Sequence, residues 1–281
     1  MLDRSPLSRF VTYAVLLAGV AIVALPVWVT FVASTQTLEQ VLAAPMSLAP
    51  GSRLFHNYAE VLAAGAGNSG APVVRMMTNS LVMALAIALG KIAISLLSAF
   101  ALIYFRFRFR QLAFWLIFVT LMLPVEVRIM PTYQVMSDLH LLDTYAGLTL
   151  PLIASATATF LFRQFFMTVP DELAEAAKID GAGPMHFFWH VLLPLSRTSI
   201  AALFVIQFVY GWNQYLWPLL VTTQESMYPV VIGLKRMIST GDAATEWNLV
   251  MATAILAMLP PIAVVVLMQK WFVKGLVESD K

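Results

Sequence analysis

Residues 170–195 read PDELAEAAKIDGAGPMHFFWHVLLPL, a polar, proline-framed stretch between two apolar blocks, Thr144–Phe162 and the run from Arg197 to Glu225. Pro170 followed by Asp171 and Glu172 suits a first helical turn, where a missing N–H is harmless and negative charge favours the helix dipole. The run to Lys178 is rich in strong helix formers. Gly181 and Gly183 permit a sharp bend, and Pro184 opens a second short helix. The spacing predicts a helix–turn–helix outside a bilayer, with small Ala176 and Ala177 beside acidic Glu175. Such a surface inserts into a partner's groove while its carboxylate meets a partner cation.

The flanking sequence explains why this stretch stands out. Of 281 residues, 60% are hydrophobic and only 11% charged, against about 25% charged in an ordinary soluble domain. The apolar residues come in blocks, several exceeding the roughly 20 residues a helix needs to cross a hydrocarbon core. A net charge of +2, dispersed among block ends, argues against nucleic acid as a partner. With no Cys, the chain has no disulfide, no thiolate metal site and no cysteine nucleophile.

Six blocks read as membrane spans, giving an all-α membrane protein. The first, about 11–34, is too long for a cleavable signal peptide and lacks a small-residue cleavage site. Stretch 35–74, rich in Pro and Gly, reads as a polar loop with room for one short surface helix. The second span runs from about Met76 to Phe105 and contains Lys91. The third begins near Leu112 and ends between Pro124 and Pro131, interrupted by Glu126 and Arg128. The fourth occupies Thr144–Phe162, the fifth lies between Arg197 and Glu225, and the sixth between Glu246 and Lys270. No broken helix, internal repeat or low-complexity segment is evident.

Basic residues set the orientation. With the N-terminus inside, the inner side holds Arg4, Arg9, Arg106, Arg108, Arg110, Arg163, Lys178, Arg197, Lys270, Lys274 and Lys281. The outer side holds Arg53, Arg75, Arg128, Lys235 and Arg236. Eleven against five places both termini and residues 170–195 in the cytoplasm.

Within that inner stretch, Glu175-Ala176-Ala177 is followed by three residues, Gly181, nine residues and Val191-Leu192-Leu193-Pro194. This resembles the EAA loop of ABC importer permeases, with Val in place of the usual Ile. The resemblance extends over nearly the whole chain, to the carbohydrate-type permeases of the maltose and glycerol-phosphate group. It is narrowest with the E-type permease subunits that serve sn-glycerol-3-phosphate, through LGKIAISLLSAFA (89–101), MLPVEVRIMPT (122–132), YAGLTLPLIASATATFLFRQFFMTVPDEL (145–173) and YGWNQYLWPLL (210–220).

The resemblance implies a type I importer permease fold in the inner membrane. Residues 1–74 would form the first span and periplasmic segment, 75–273 the transmembrane core and 274–281 a cytoplasmic tail. It implies a second permease subunit, two ATPase subunits docked on the EAA loops, a substrate-binding protein outside, and lipid around the spans. By the same resemblance Glu175, Ala176, Ala177, Asp180 and Gly181 sit in the ATPase groove, while Leu193 and Pro194 brace the loop against the fifth span. The implied cargo is sn-glycerol-3-phosphate or a related glycerophosphodiester, with a neutral sugar or oligosaccharide as the alternative. No catalytic residue, cofactor or metal is implied. Gly90-Lys91 is followed by Ile92 inside an apolar helix, which is no nucleotide-binding loop, so ATP would be hydrolysed by another polypeptide.

Pathway candidates come from the polar residues of the spans. Ser80, Ala84, Ala88, Lys91, Ser95 and Ser98 make a small, polar face in steps of three and four. Two readings fit Lys91: it meets a phosphate in transit, or it pairs with carboxylate or carbonyl groups of the partner subunit. Gln207, Tyr210, Gln214 and Trp217, with Asn213 beside them, form a second stripe that either lines a wet pathway or bonds neighbouring helices. Glu126 and Arg128 read as an external helix end with local pairing. His186 and His190 have metal-pair spacing but no Glu in the HExxH position, which favours a surface role in the loop. An ion-gradient transporter would call for broken helices or inverted repeats, and a membrane enzyme for a cluster of acids and bases; the sequence displays neither.

Overall fold

The computed structural model describes residues 6–63, 71–120, 125–238 and 245–277, and every regular element among them is helical. In chain order, α1 is Pro6–Ser34, α2 Leu38–Leu42, α3 Leu54–Ala63, α4 Val73–Tyr104 and α5 Arg110–Val119. Next come α6 Val125–Asp138, α7 Tyr145–Thr149, α8 Ala156–Met167, α9 Asp171–Ile179, α10 Pro184–Phe187 and α11 Leu193–Leu195. α12 Arg197–Trp212, α13 Leu216–Val221, α14 Val230–Met237 and α15 Trp247–Val277 complete the order.

Three of these, α1, α4 and α15, are long and apolar enough to cross a membrane singly. Their 29, 32 and 31 residues correspond to more than 40 Å at about 1.5 Å per residue. The sequence reading of the fourth and fifth spans as continuous helices is corrected. α7 and α8, joined by a 3-10 turn at Leu150–Leu152, are bent by 49° at the break before Ala156. Ser155 recaps the chain there, its side chain accepting from the Ala158 N–H. The fifth block stops being α12 at Trp212 and resumes as α13 at Leu216. Broken helices are therefore present, contrary to expectation: the first break falls at Ile153-Ala154-Ser155, within an apolar stretch, and the second at the polar Asn213-Gln214-Tyr215.

Two further boundaries move. The third block was expected to end by Pro131, yet α6 carries Pro131 in its interior and continues to Asp138. Pro131 has no N–H for the carbonyl four residues earlier, and Thr132 Oγ1 donates to the neighbouring Arg128 carbonyl at 2.7 Å. Stretch 35–74 holds two short helices, α2 and α3, where the sequence suggested one. Glu126's side chain and residues 121–124 lie outside what the structure describes.

The chain forms two compact units. One comprises residues 1–75 and 233–259. Here the end of α1 is fastened by buried polar groups. Asn57 donates to the carbonyls of Ser34 and Gln36, both at 2.9 Å, and Gln36 donates to those of Ser47 and Ala49, both at 3.0 Å. Thr37 and Gln40 close a capping box on α2. Most of α1 is apolar and exposed, a surface suited to lipid or another subunit rather than water.

The other unit comprises residues 76–232 and 260–281 and has two apolar clusters on α4. Met83 and Ile87 pack with Met136, Leu148, Leu152, Trp217, Val221 and Met227. Further along α4, Ile92, Leu96, Ala99 and Phe100 pack with Ala158, Phe162 and Phe166 of α8, Leu203 of α12, and Phe187, Phe188 and Leu192. Between the clusters the backbones come close. A Cβ on Gly211 would lie 2.9 Å from Ala84 Cα, and one on Gly90 would lie 2.8 Å from Ile153 Cγ2. Of the small face expected on α4, Ser80, Ala84, Ala88, Lys91 and Ser95 are buried and Ser98 is half-buried.

Candidate functional site

The stretch 170–195 folds as α9, a turn and α10, continuing through a π-helical turn at Phe188–Leu192 into α11. Pro170 caps α9, with Asp171 and Glu172 in its first turn and Lys178 in its last, the polarity the helix dipole favours. Gly181 has φ +75°. Its N–H donates to the Lys178 carbonyl at 3.0 Å, and the Ala182 N–H reaches the Ala177 carbonyl at 2.8 Å. These two bonds make a Schellman stop, which places the left-handed residue just beyond the helix end. The interval between Glu175 and Gly181 is thus the distance from the face of α9 to its terminator.

Glu175, Ala176, Asp180 and Gly181 are exposed, whereas Ala177 is half-buried. Ala174 and Ala177 touch the inner apolar cluster, so small side chains let α9 lie close to the core. A cleft between α9 and α10 is lined by Ala176, Ala177, Asp180, Gly181, His186 and His190, among others. The two imidazoles stack at 4.0 Å, and His190 Nδ1 lies 3.0 Å from the His186 carbonyl oxygen. Ile179, 86% exposed, and Trp189, 57% exposed, also stand out of this loop. Their apolar character amid charged neighbours was the available signal, which the sequence reading passed over.

The loop is tied to the spans by aromatic rings. Phe187 meets Tyr104 at 5.2 Å and Phe188 meets Phe100 at 5.0 Å. Leu193 is half-buried against the same cluster, and α11 meets α12 through a 73° bend. Ser196 sits in that bend fully buried, its hydroxyl donating to the Leu192 carbonyl at 2.6 Å. Pro194, half-buried, lies in α11 next to this bend.

The pathway candidates are only partly brought together. Lys91 Nζ donates to Gln207 Oε1 at 3.0 Å and sits 3.7 Å from the centroid of the Tyr210 ring. The lysine therefore has partners inside its own subunit, not solely in a neighbour. Asn213 caps α12, and the exposed-side Gln214 turns its amide back to the Tyr210 carbonyl at 3.2 Å. Trp217 belongs to α13, is buried, and donates to the Gly147 carbonyl at 3.1 Å. The expected single stripe from Gln207 to Trp217 is thus divided, because α12 ends at Trp212.

Lys91, Gln207 and Tyr210 line a cleft of about 660 Å³, whose wall also includes Arg128, Ser98 and Ser155. Arg128 was expected to be merely part of a helix end. It lies in the first turns of α6 and lines the cleft, a placement no local sequence signal revealed.

Comparison with known proteins gives concordant results. Residues 91–278 match the family described as binding-protein-dependent transport system inner membrane component. The sn-glycerol-3-phosphate transport system permease protein UgpE of Agrobacterium fabrum is 60% identical over 282 residues, covering all of both chains. The protein of the same name from Yersinia enterocolitica is 60% identical over 269 residues, 96% of each chain. In the crystal structure of a bacterial ABC transporter involved in import of the acidic polysaccharide alginate, one chain aligns with a TM-score of 0.82 at 24% identity. That alignment covers 97% of this chain and 100% of that one, a likeness of fold.

Proposed function

The chain belongs to the family of binding-protein-dependent transport system inner membrane components, and from that premise we propose that it is the permease subunit that forms half of the pathway of an sn-glycerol-3-phosphate importer. The observation that carries this reading is identity of about 60% along the full length of permeases named for that substrate. A glycerophosphodiester has the same glycerol and phosphate chemistry and belongs to the same substrate class.

In this reading six crossings place both termini inside, as the eleven-to-five division of basic residues supports. Two permeases pair, a binding protein delivers substrate outside, and two separate ATPase subunits supply the work. Glu175, Ala176, Asp180 and Gly181, joined by Ile179, meet the ATPase. Ala177 lets the loop seat closely, and Leu193 and Pro194 brace it at the 73° elbow. Transmission needs a stiff element, and the Tyr104–Phe187 and Phe100–Phe188 ring contacts fix the loop to the spans. Lys91, Gln207 and Tyr210 are the pathway groups, with Asn213 and Gln214 at the end of α12.

Reconstitution tests the proposal. The assembled importer in proteoliposomes, given its loaded binding protein and internal ATP, should accumulate labelled sn-glycerol-3-phosphate. Accumulation of a neutral oligosaccharide instead would overturn the substrate, and uptake driven by an ion gradient without the ATPases would overturn the machine.

A further inference from the structure

We propose that the cleft walled by Lys91, Arg128 and the start of α8 is a phosphate subsite, at which the anionic end of the cargo displaces the neutral partners of Lys91 during passage. This inference rests on the phosphate-ester reading above and adds where in this subunit the charge is met. Lys91 is only 7% exposed, and an ammonium there has three donors to satisfy. It makes a hydrogen bond to the neutral Gln207 amide oxygen and lies over the face of Tyr210. No Asp or Glu is among the described residues lining the cleft, whereas a second cation, Arg128, is.

The break in the fourth span adds to this field. Ala154, Ser155, Ala156 and Thr157 border the same cleft, and Ala156 begins the 12-residue α8. The first N–H groups of a helix have no intrahelical acceptor and favour an anion. Ser155 Oγ accepts from Ala158 N–H at 3.2 Å, leaving the earlier first-turn donors for another acceptor. A buried lysine with replaceable partners, a nearby guanidinium and a helix N-terminus all select negative charge. Gln207 and Tyr210 hold Lys91 against the cleft wall. The same chemistry would accept a phospholipid headgroup, so the test separates the two sources.

The experiment uses the complete importer in proteoliposomes made with and without anionic lipid, with uptake of sn-glycerol-3-phosphate normalised to assembled complex. Lys91→Gln keeps an amide donor for Gln207 but no charge, and Arg128→Gln removes the second positive charge from the exposed wall. Each should lower uptake about tenfold or more, as loss of a charge-assisted contact implies, while Lys91→Arg and Arg128→Lys retain most of it. Uptake by both Gln variants within about twofold of the unsubstituted importer, on the same scale, overturns the subsite while leaving the importer assignment intact. Loss in Lys91→Gln alone, with Arg128→Gln normal, also overturns it, since a packing role for the lysine then suffices. A defect that appears only with anionic lipid assigns the cleft to a headgroup and overturns it as well. If the unsubstituted importer takes up no phosphate ester, the substrate reading itself falls.

Discussion

Two residues show how much a single backbone angle or charge controls. Gly181 holds φ +75° with nothing within 4 Å of where a Cβ would stand, so a side chain there meets strain rather than a clash. An L-residue in this region costs about 1–2 kcal/mol, enough to loosen the stop of α9. Gly181→Asp should insert normally but lose transport, whereas Gly181→Asn, better tolerated in the left-handed region, should keep more; equal, normal uptake by both would refute this. Asp143 lies outside the spans. It accepts from Thr223 N–H at 2.6 Å, Thr223 Oγ1 at 2.5 Å and Gln224 N–H at 2.9 Å. Partial desolvation acts to raise its carboxyl, but together the Gln224 and Thr223 donors outweigh it and hold the group below its ordinary value. The resulting stability is fully present above the unfolded pKa, about 4, and disappears as pH falls through the lower folded value. Asp143→Asn should cost about 1 kcal/mol at neutral pH, given its exposure, and flatten the acid limb of a detergent melting curve. An acid limb unchanged by the substitution would show that Asp143 contributes nothing there.

At the level of elements, a loop transmits force only if it cannot flex, and Phe187 is one of the two rings that fasten this one. The ring is 5% exposed and packs against Tyr104; removing a buried phenyl group typically costs about 3–5 kcal/mol. Phe187→Ala should leave the chain inserted but cut uptake about tenfold or more, with Phe187→Leu recovering much of it. Full uptake by the alanine variant would mean that the coupling does not run through this contact. The loop itself was legible in sequence, since Pro170, Gly181 and Pro184 each act locally at their own positions. The breaks at 153–155 and 213–215 were not. The second is at Asn213-Gln214-Tyr215, whose polar residues read as a helix face rather than a helix end; the first lies in an apolar stretch, where tertiary contacts such as Ile153 against Gly90 mark the turn. For the same reason Lys91 and Gln207, 116 residues apart, were legible as candidates singly but not as a bonded pair, and Arg128 was not legible as their neighbour.

For the whole molecule, the decisive matter is which side of the bilayer each segment occupies, because an EAA-type loop can receive work only from the compartment that holds ATP. The charge pattern assigns α9 and α10 to the inside and the segment carrying α3 to the outside. The chain contains no Cys, so a single introduced thiol reports its own side without a background. Ile179, 86% exposed, and Phe55, 85% exposed, are suitable positions, since neither contributes to a buried core. In vesicles from cells lacking the ATPase subunits, a membrane-impermeant maleimide should label Ile179→Cys only when the vesicles are inside-out and Phe55→Cys only when they are right-side-out. Adding the ATPases should then protect Ile179→Cys and leave Phe55→Cys as reactive as before, because only the former lies on the face they would cover. Labelling of Ile179→Cys from the outer side would invert the topology and detach the loop from any source of ATP-derived work, whatever the family resemblance of its sequence.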